Sequence, residues 1–559
     1  MSPSPDNPGG PAPAGAAVPG SGPAPCGGLR ARSALATAAA GGLALAAAFP
    51  PAGIWPLAAA GPALLTVALW GRSLRGSLAV GLVFGLAFFV PLLSWLVNVT
   101  WYAWAALAAA EALIFAVLAA GQRLLLGLRA WPAAVAGWWV AAEALRGRWP
   151  YPFPWGRLAM SQAGAPTAPW VAVGGAPLLS FLAALAGAAL AWLILAPSGR
   201  GDRAGALRRR LVPGLAFAGA AGLAVAVGAA LPVDQGSPGG RSAVVAAIQG
   251  DIPHAGGLPA RLRAAAVTGD QAAATGQLAA QVKAGARPAP DVVIWPENST
   301  DLDPGLNPGT YATIAAAVAG IGRPVLVGAV LQHPLRNAGQ LWLPGRGPTA
   351  VYVKRQLVPF GEYIPFRGLL SRLTPLTALQ PRDFTAGHRA VVFRAGTIRL
   401  GDVICYEAGF DTLVASEVTA GANLLAVQSN DATFEADGQA GETAQQLAMA
   451  RIRAAESDRA VIYASTTGAS AIIAPDGSVI ARSGIRERAV LEARVPLRTR
   501  ITLADRAGQW PQTVITALTI AALAAAAVRP HRPASPMTAA STSAIAGRTT
   551  GSGPTATPQ

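Results

Sequence analysis

Three short stretches put reactive side chains where apolar strands end. Ile398-Arg-Leu-Gly-Asp-Val-Ile-Cys-Tyr-Glu407 turns abruptly from apolar to polar, and Cys405 stands at the change. A thiol there can be presented to a cleft, with the backbone N–H groups after it facing the same space. The alternative is an inert cysteine buried as a small hydrophobe. Asp291-Val-Val-Ile-Trp-Pro-Glu297 ends a second apolar run with a carboxylate just past a proline, which by itself reads as a solvated loop glutamate. Ala350-Val-Tyr-Val-Lys354 ends a third run with an ammonium, followed by Pro359-Phe-Gly-Glu-Tyr-Ile-Pro365. A surface lysine is the simple reading. Yet the chain has only two lysines, Lys283 and Lys354, against 41 arginines. Lysine where arginine is the habit points to a compact point charge rather than a guanidinium fork.

The stretches that position these residues alternate between two kinds. Short, β-branched runs recur at Ala243–Ile248, Asp291–Trp295, Pro324–Leu331, Ala350–Leu357, Ala390–Phe393, Ile398–Cys405, Asn423–Gln428 and Val461–Ser465. Helix-like stretches lie between several of them, at 257–284, 308–320 and 439–458, and this alternation predicts an α/β domain. The run Ala469–Ile480, turning at Pro475-Asp476-Gly477, predicts an antiparallel hairpin in the same sheet.

Outside 232–511 the chain changes character. Over its 559 residues 52% are hydrophobic and 13% charged, with a mean hydropathy of +0.41. That balance excludes a disordered protein and argues against a soluble enzyme along the whole length. Seven apolar stretches, near 33–49, 54–70, 76–97, 102–122, 130–146, 170–196 and 211–231, precede the α/β segment, and an eighth, 512–528, follows it. Several approach the ~20 residues that cross a bilayer core. Aromatic residues mark an expected rim: Trp101, Tyr102, Trp104, Trp149, Tyr151 and Trp155. Two carboxylates fall inside apolar stretches. Glu143 lies three residues before Arg146 and is expected to pair with it along the helix. Glu111 is open between lining a lipid path and making a polar contact between helices.

The net charge of +16 invites a nucleic-acid reading, but residues 241–509 carry only +4 of it. The excess sits in short stretches between apolar segments, as in an integral membrane protein and not a nucleic-acid-binding face. With the N-terminus inside, the short inside loops and tails hold fourteen arginines and the outside loops three. Both termini are therefore expected in the cytoplasm, with 232–511 outside the cell membrane. Two cysteines exclude a disulfide framework. Cys26 lies in a Pro- and Gly-rich tail (1–32), with Ala24-Pro25 rather than an apolar segment before it, so no lipoprotein cleavage site is expected. The Thr-, Ser- and Pro-rich tail 529–559 is expected to be disordered.

Trp295-Pro296-Glu297, Lys354, Gly361-Glu362-Tyr363 and Cys405-Tyr406-Glu407 occur in the order and spacing of the nitrilase (carbon–nitrogen hydrolase) superfamily, which they resemble. Ala247-Ile-Gln-Gly-Asp-Ile-Pro253, Gln446-Leu-Ala-Met-Ala-Arg-Ile-Arg-Ala-Ala-Glu456 and, in the membrane part, Arg148-Trp-Pro-Tyr-Pro-Phe-Pro-Trp155 are further pieces matching the membrane-embedded branch of that superfamily. With seven membrane segments before the domain and one after it, the chain looks like the membrane-embedded apolipoprotein N-acyltransferase family of that superfamily, over roughly 33–528. It departs from the family's pattern at Ala432-Thr-Phe-Glu435, at Thr443-Ala444 and at Ser465-Thr-Thr before Gly468.

The resemblance implies an α-β-β-α sandwich (232–511) between a seven-helix membrane domain (33–231) and an eighth helix (512–528). It implies Glu297 as general base, Cys405 as nucleophile, and Lys354 with the backbone N–H near Tyr406 stabilising an oxyanion. Glu362 and Glu407 would hold the lysine and shape the cleft. A fatty acyl chain would pass from a phospholipid to Cys405 as a thioester, and then to the α-amine of a diacylglyceryl-cysteine lipoprotein. No cofactor, metal or nucleic acid is implied, and a monomer is expected. The rivals are a membrane-tethered amidase with water as acceptor and an inactive scaffold. The intact triad argues against the scaffold. Eight spans argue against the amidase, for which one anchor would suffice.

Overall fold

The computed structural model describes residues 28–195, 240–251, 260–435 and 441–528. Its first part is helical: α1 (Ala31–Ala48), α2 (Leu57–Leu69), α3 (Leu74–Leu92), α4 (Trp101–Leu125), α5 (Trp131–Arg146) and α6 (Val171–Leu195). Local chemistry sets several ends. The Ser73 and Thr100 hydroxyls each accept from the backbone N–H three residues on, at 3.2 Å, and so cap α3 and α4. Pro132 sits in the first turn of α5, where no N–H is missed. Near the start of α6 the chain leaves helical geometry at Gly174 and Gly175, the latter with φ 71°, a conformation that suits glycine.

Among the described residues, five helices are long and apolar enough to cross a membrane: α1, α3, α4, the one ending at Leu195, and the last, Trp510–Val528. The expected second segment, 54–70, yields only thirteen helical residues, because Pro56 stands just before Leu57. The expected 211–231 segment lies outside the described residues.

Twelve strands follow among the described residues: β1 (Ser242–Gln249), β2 (Val292–Ile294), β3 (Val325–Gln332), β4 (Leu335–Leu343), β5 (Gly347–Val353), β6 (Val392–Ala395), β7 (Ile398–Ile404), β8 (Leu424–Ser429), β9 (Val461–Ser465), β10 (Ala471–Ile473), β11 (Val479–Arg482) and β12 (Ala489–Pro496). They form two six-stranded sheets, ordered β12-β1-β2-β3-β4-β5 and β11-β10-β9-β8-β7-β6. Parallel pairs β1–β2–β3 and β7–β8–β9 form the middle, and antiparallel strands flank them. The hairpin at 469–480 is present: β10 pairs with β11, and Ala474 closes the turn by donating to the Ser478 carbonyl at 2.8 Å. β4 and β12 are absent from the strand pattern read in the sequence.

Alternation along the strands explains the layers. Val245, Ile294 and Leu326 of one sheet meet Leu400, Ile404 and Ala426 of the other in a shared core. On the outer face of the first sheet, Val293, Trp295 and Val327 pack on α7 (Ala260–Lys283) and α8 (Pro308–Ile321). After β5 come α9 (Arg367–Leu373), α10 (Asp411–Thr419) and α11 (Gly441–Ser457), then α12 (Leu503–Ala507) and α13 (Trp510–Val528). Val403, Val427 and Tyr463 face outward from the second sheet onto Val414 of α10 and Leu447 and Ile452 of α11.

That outer core runs without interruption into Phe88, Trp95 and Trp155 of the helical part. Polar contacts reinforce the joint. Gln445 of α11 accepts from the Trp155 and Trp95 indoles at 2.6 and 3.3 Å. Asp411 holds Arg157 at 2.7 Å and Arg453 at 2.6 Å, and Glu456 accepts from the Ala176 N–H at 3.0 Å where α6 breaks.

Candidate active site

Glu297, Lys354 and Cys405, each more than fifty residues from the next, are brought together at the C-terminal ends of β2, β5 and β7. All three are buried, at 4%, 1% and 7% exposure. The parallel pairing of β1, β2 and β3 brings the Trp295-Pro296-Glu297 end beside β3, with Trp295 donating its N–H to the Leu326 carbonyl at 2.9 Å. The ammonium of Lys354 donates to Oε1 of Glu297 at 2.9 Å and to Oε1 of Glu362 at 3.0 Å. A lysine suits this position, because one compact charge must serve two carboxylates in a space closed to water.

Asn337, on β4, is the residue that sequence reasoning missed. Its amide donates to Glu297 at 2.6 Å and to Glu362 at 2.8 Å, so it repeats the bridge that Lys354 makes. The Val358 N–H holds the other oxygen of Glu362 at 2.7 Å. A buried asparagine inside an extended run is the only signal it leaves.

Cys405 opens a 3₁₀ turn, Cys405–Gly409, directly after β7, and its φ is 53°. A non-glycine residue in this left-handed region is strained, and it turns the side chain out of the strand direction. Gln446 of α11 donates its amide to Sγ at 3.3 Å. Gln446 belongs to a stretch that carries part of the family resemblance, although the sequence assigns it no role. Glu407 anchors the turn. Its carboxylate accepts N–H bonds from Ile404 (2.8 Å), Arg355 (2.7 Å) and Gln356 (3.1 Å) and lies within 2.9 Å of the Tyr352 hydroxyl. Glu407 thus ties the residues after Lys354 to the strand end before Cys405, whereas Glu362 holds the lysine directly. Tyr406 is buried, hydrogen-bonds the Pro152 carbonyl and stacks on Trp155.

Burial dominates the electrostatics. It pushes the Cys405 thiol well up, and Glu297 adds to this while Lys354 opposes it. Glu297 is also raised above the ordinary carboxylate range, by burial and by Glu362, with Lys354 pulling the other way. Lys354 is held firmly protonated: Glu297 and Glu362 together outweigh its burial. The ground state is therefore a thiol facing a carboxylate of raised proton affinity, with a fixed cation beside both. This set can remove a proton from sulfur, form a thioester and stabilise an oxyanion.

Of the polar residues of the helical part, Glu111 follows one of its two expected courses and Glu143 departs from its own. Glu111 takes the interhelical role: it forms a buried ion pair with Arg146. Glu143 does not pair with Arg146. It accepts the Leu158 N–H at 2.8 Å and faces Arg157 at 3.7 Å, because Arg146 is already drawn across to α4. Trp155 is buried at the joint between the two parts, not at an exposed rim, whereas Trp101 and Trp149 are exposed.

Two family models match the chain. The apolipoprotein N-acyltransferase N-terminal domain covers residues 41–189, and the carbon-nitrogen hydrolase domain covers residues 244–505. The apolipoprotein N-acyltransferase of Mycolicibacterium smegmatis is 36% identical over 509 residues, spanning 87% of this chain and 84% of that protein. The one from Pseudomonas syringae pv. tomato is 29% identical over 502 residues, spanning 86% and 94%. Among solved structures, an amidase from Nesterenkonia sp. is similar over 49% of this chain and 96% of its own, with 15% identity and a TM-score of 0.36. The chain belongs to the apolipoprotein N-acyltransferase family: it is an acyltransferase with a carbon–nitrogen hydrolase domain.

Proposed function

We propose that the protein moves a fatty acyl chain from a phospholipid to the α-amine of a diacylglyceryl-cysteine at the N-terminus of lipoproteins, through a thioester on Cys405. The observation that carries this reading is the joining of a buried Glu297–Lys354–Cys405 site to a set of apolar helices through Tyr406 and Trp155. Glu297 takes the thiol proton and the sulfur attacks the ester carbonyl. Lys354 and the N–H groups after Cys405 face the oxyanion. The ester C–O bond breaks, Glu297 returns the proton to the departing lysophospholipid oxygen, and a thioester remains. The amine then attacks the thioester carbonyl, Glu297 accepts the amine's proton, and the C–S bond breaks. Cys405 recovers the proton as the amide is released.

In this reading Glu362 and Asn337 hold the lysine and the base, and Glu407 holds the turn carrying the nucleophile. Residues 33–231 and 512–528 form the membrane part. Residues 232–511 lie outside the cytoplasmic membrane with both termini inside, and the protein works as a monomer. The fourteen-to-three arginine split supports this orientation.

The test is turnover with and without acceptor. Given phospholipid alone, the purified protein should stop after about one turnover, because a buried site beside the apolar helices withholds water from the thioester. Intact mass should then show acyl-Cys405 and one equivalent of lysophospholipid. A diacylglyceryl-cysteine peptide with a free amine should restart turnover, and the N-acetylated peptide should not. Continuous release of free fatty acid without peptide would instead establish a membrane-tethered hydrolase with water as acceptor.

A further inference from the structure

Beneath the triad, between the two sheets, lies a group of polar atoms that the reaction above does not use. Asp402 of β7 is fully buried, and the alternation of its strand turns it inward with Leu400 and Ile404. Neither of its carboxyl oxygens has a well-formed hydrogen bond; only the adjacent Val403 N–H lies near. Gln428 of β8 is equally buried, and its Oε1 is also without a donor, although its amide nitrogen donates to the Trp295 carbonyl at 2.6 Å.

Both acceptors converge on Gly339 of β4. A Cβ there would lie 1.9 Å from Oδ2 of Asp402 and 2.9 Å from Oε1 of Gln428, which puts these oxygens within about 5 Å of each other. The absence of a side chain at 339 is what makes room for them. Leaving several acceptors buried without a hydrogen is costly, because each has lost its bonds to water and gained none in return. One proton on Asp402 resolves the conflict, because a carboxylic acid donates where a carboxylate only accepts.

We propose that Asp402 is a neutral carboxylic acid that donates to Gln428 and, through the Gln428–Trp295 bond, fixes the strand end carrying Glu297: it is a positioning residue for the general base. This rests on Glu297 being that base. Burial and the negative neighbours Glu407, Glu417 and Glu297 all favour the protonated form of Asp402. The chain is then continuous, from β7 through β8 to the end of β2, and it joins the nucleophile's strand to the base across the sheets.

The test compares Asp402→Asn and Asp402→Ala in the full-length protein in detergent. Asparagine reproduces the neutral acid, including a donor, so Asp402→Asn should keep the rate of acyl-Cys405 formation and the acid limb of its pH profile. Asp402→Ala should slow acylation about 10-fold or more, the scale expected when a reacting group is misplaced, with phospholipid binding unchanged. An infrared difference spectrum of wild type against Asp402→Asn at neutral pH should contain the carbonyl stretch of a protonated carboxyl. It should persist in the Glu297→Gln background.

Absence of that band, or an acid limb moved to lower pH in Asp402→Asn, would show an ionised Asp402 and overturn the proposal. Full acylation by Asp402→Ala would overturn its positioning role. Full acylation by Glu297→Gln would instead remove the base assignment, while the infrared band still reports on Asp402.

Discussion

The ring of Tyr406, one residue past the cysteine, lies almost parallel to that of Trp155, with centroids 6.0 Å apart and 14° between planes. Trp155 belongs to the segment between α5 and α6, so the turn carrying Cys405 is packed directly on the helical part. Trp155→Ala removes the stack and the bond to Gln445, and should cost about 3–5 kcal/mol. Thermal unfolding in detergent should fall accordingly, and acyl-Cys405 should form more slowly. Trp155→Phe, which keeps an aromatic face, should recover most of the rate. Equal rates in wild type and Trp155→Ala would mean that the two parts are not coupled through this stack.

Removing the thiol in Cys405→Ala should abolish the acyl adduct, and Cys405→Ser should leave at most a trace. Glu297→Gln should keep the hydrogen bonds but lose the base, lowering thioester formation about 10²–10⁴-fold. Intact mass at early times after mixing with phospholipid measures both. An undiminished adduct in Glu297→Gln would assign the thiol proton to another group.

The acid limb of the reaction has a defined direction. Glu297 accepts a proton only when ionised, and its folded-state value is raised above the ordinary 4.5 by burial and by Glu362. Thioester formation should therefore fall with acidification while the pH is still above 4.5, where an exposed glutamate would remain ionised. Glu362→Gln removes a negative neighbour, so its limb should move to lower pH. A stopped-flow pH series on both proteins checks the sign.

A reporter that works only in the cytoplasm, fused near Gly345, should be silent. Gly345 lies between β4 and β5, in a turn where φ is 70°, and insertions at such a tip are well tolerated. Activity of the reporter would reverse the orientation derived from the arginine count.

The triad is legible in the sequence because each member stands where an apolar run stops, and such ends are visible without knowing which strands pair. Asn337 is not, for a physical reason. β4 carries Arg336, Asn337 and Gln340, so its burial comes from the site and the facing sheet rather than from apolar alternation. β12 is hidden similarly, with Glu492 and Arg494 on an edge strand. The partners of Glu111 and Glu143 are equally out of reach. Arg146 is closer in sequence to Glu143 but closer in space to Glu111 on another helix, and spacing along one helix reports nothing about its neighbours.

The backbone of Cys405, with φ at 53°, gives the reactive position a mechanical character. For any side chain with a Cβ this conformation costs about 1–2 kcal/mol relative to ordinary helical geometry, and it is imposed by the Glu407 bonds to Ile404, Arg355 and Gln356. Those bonds act as a preloaded spring. The tension is built into the fold, and it is borne by groups outside the Glu297–Lys354–Cys405 set. Of two inert variants, Cys405→Gly should melt at a higher temperature than Cys405→Ala, the reverse of the usual ranking of these residues. The difference between their melting points would gauge what the fold gives up in robustness to keep its sulfur aimed.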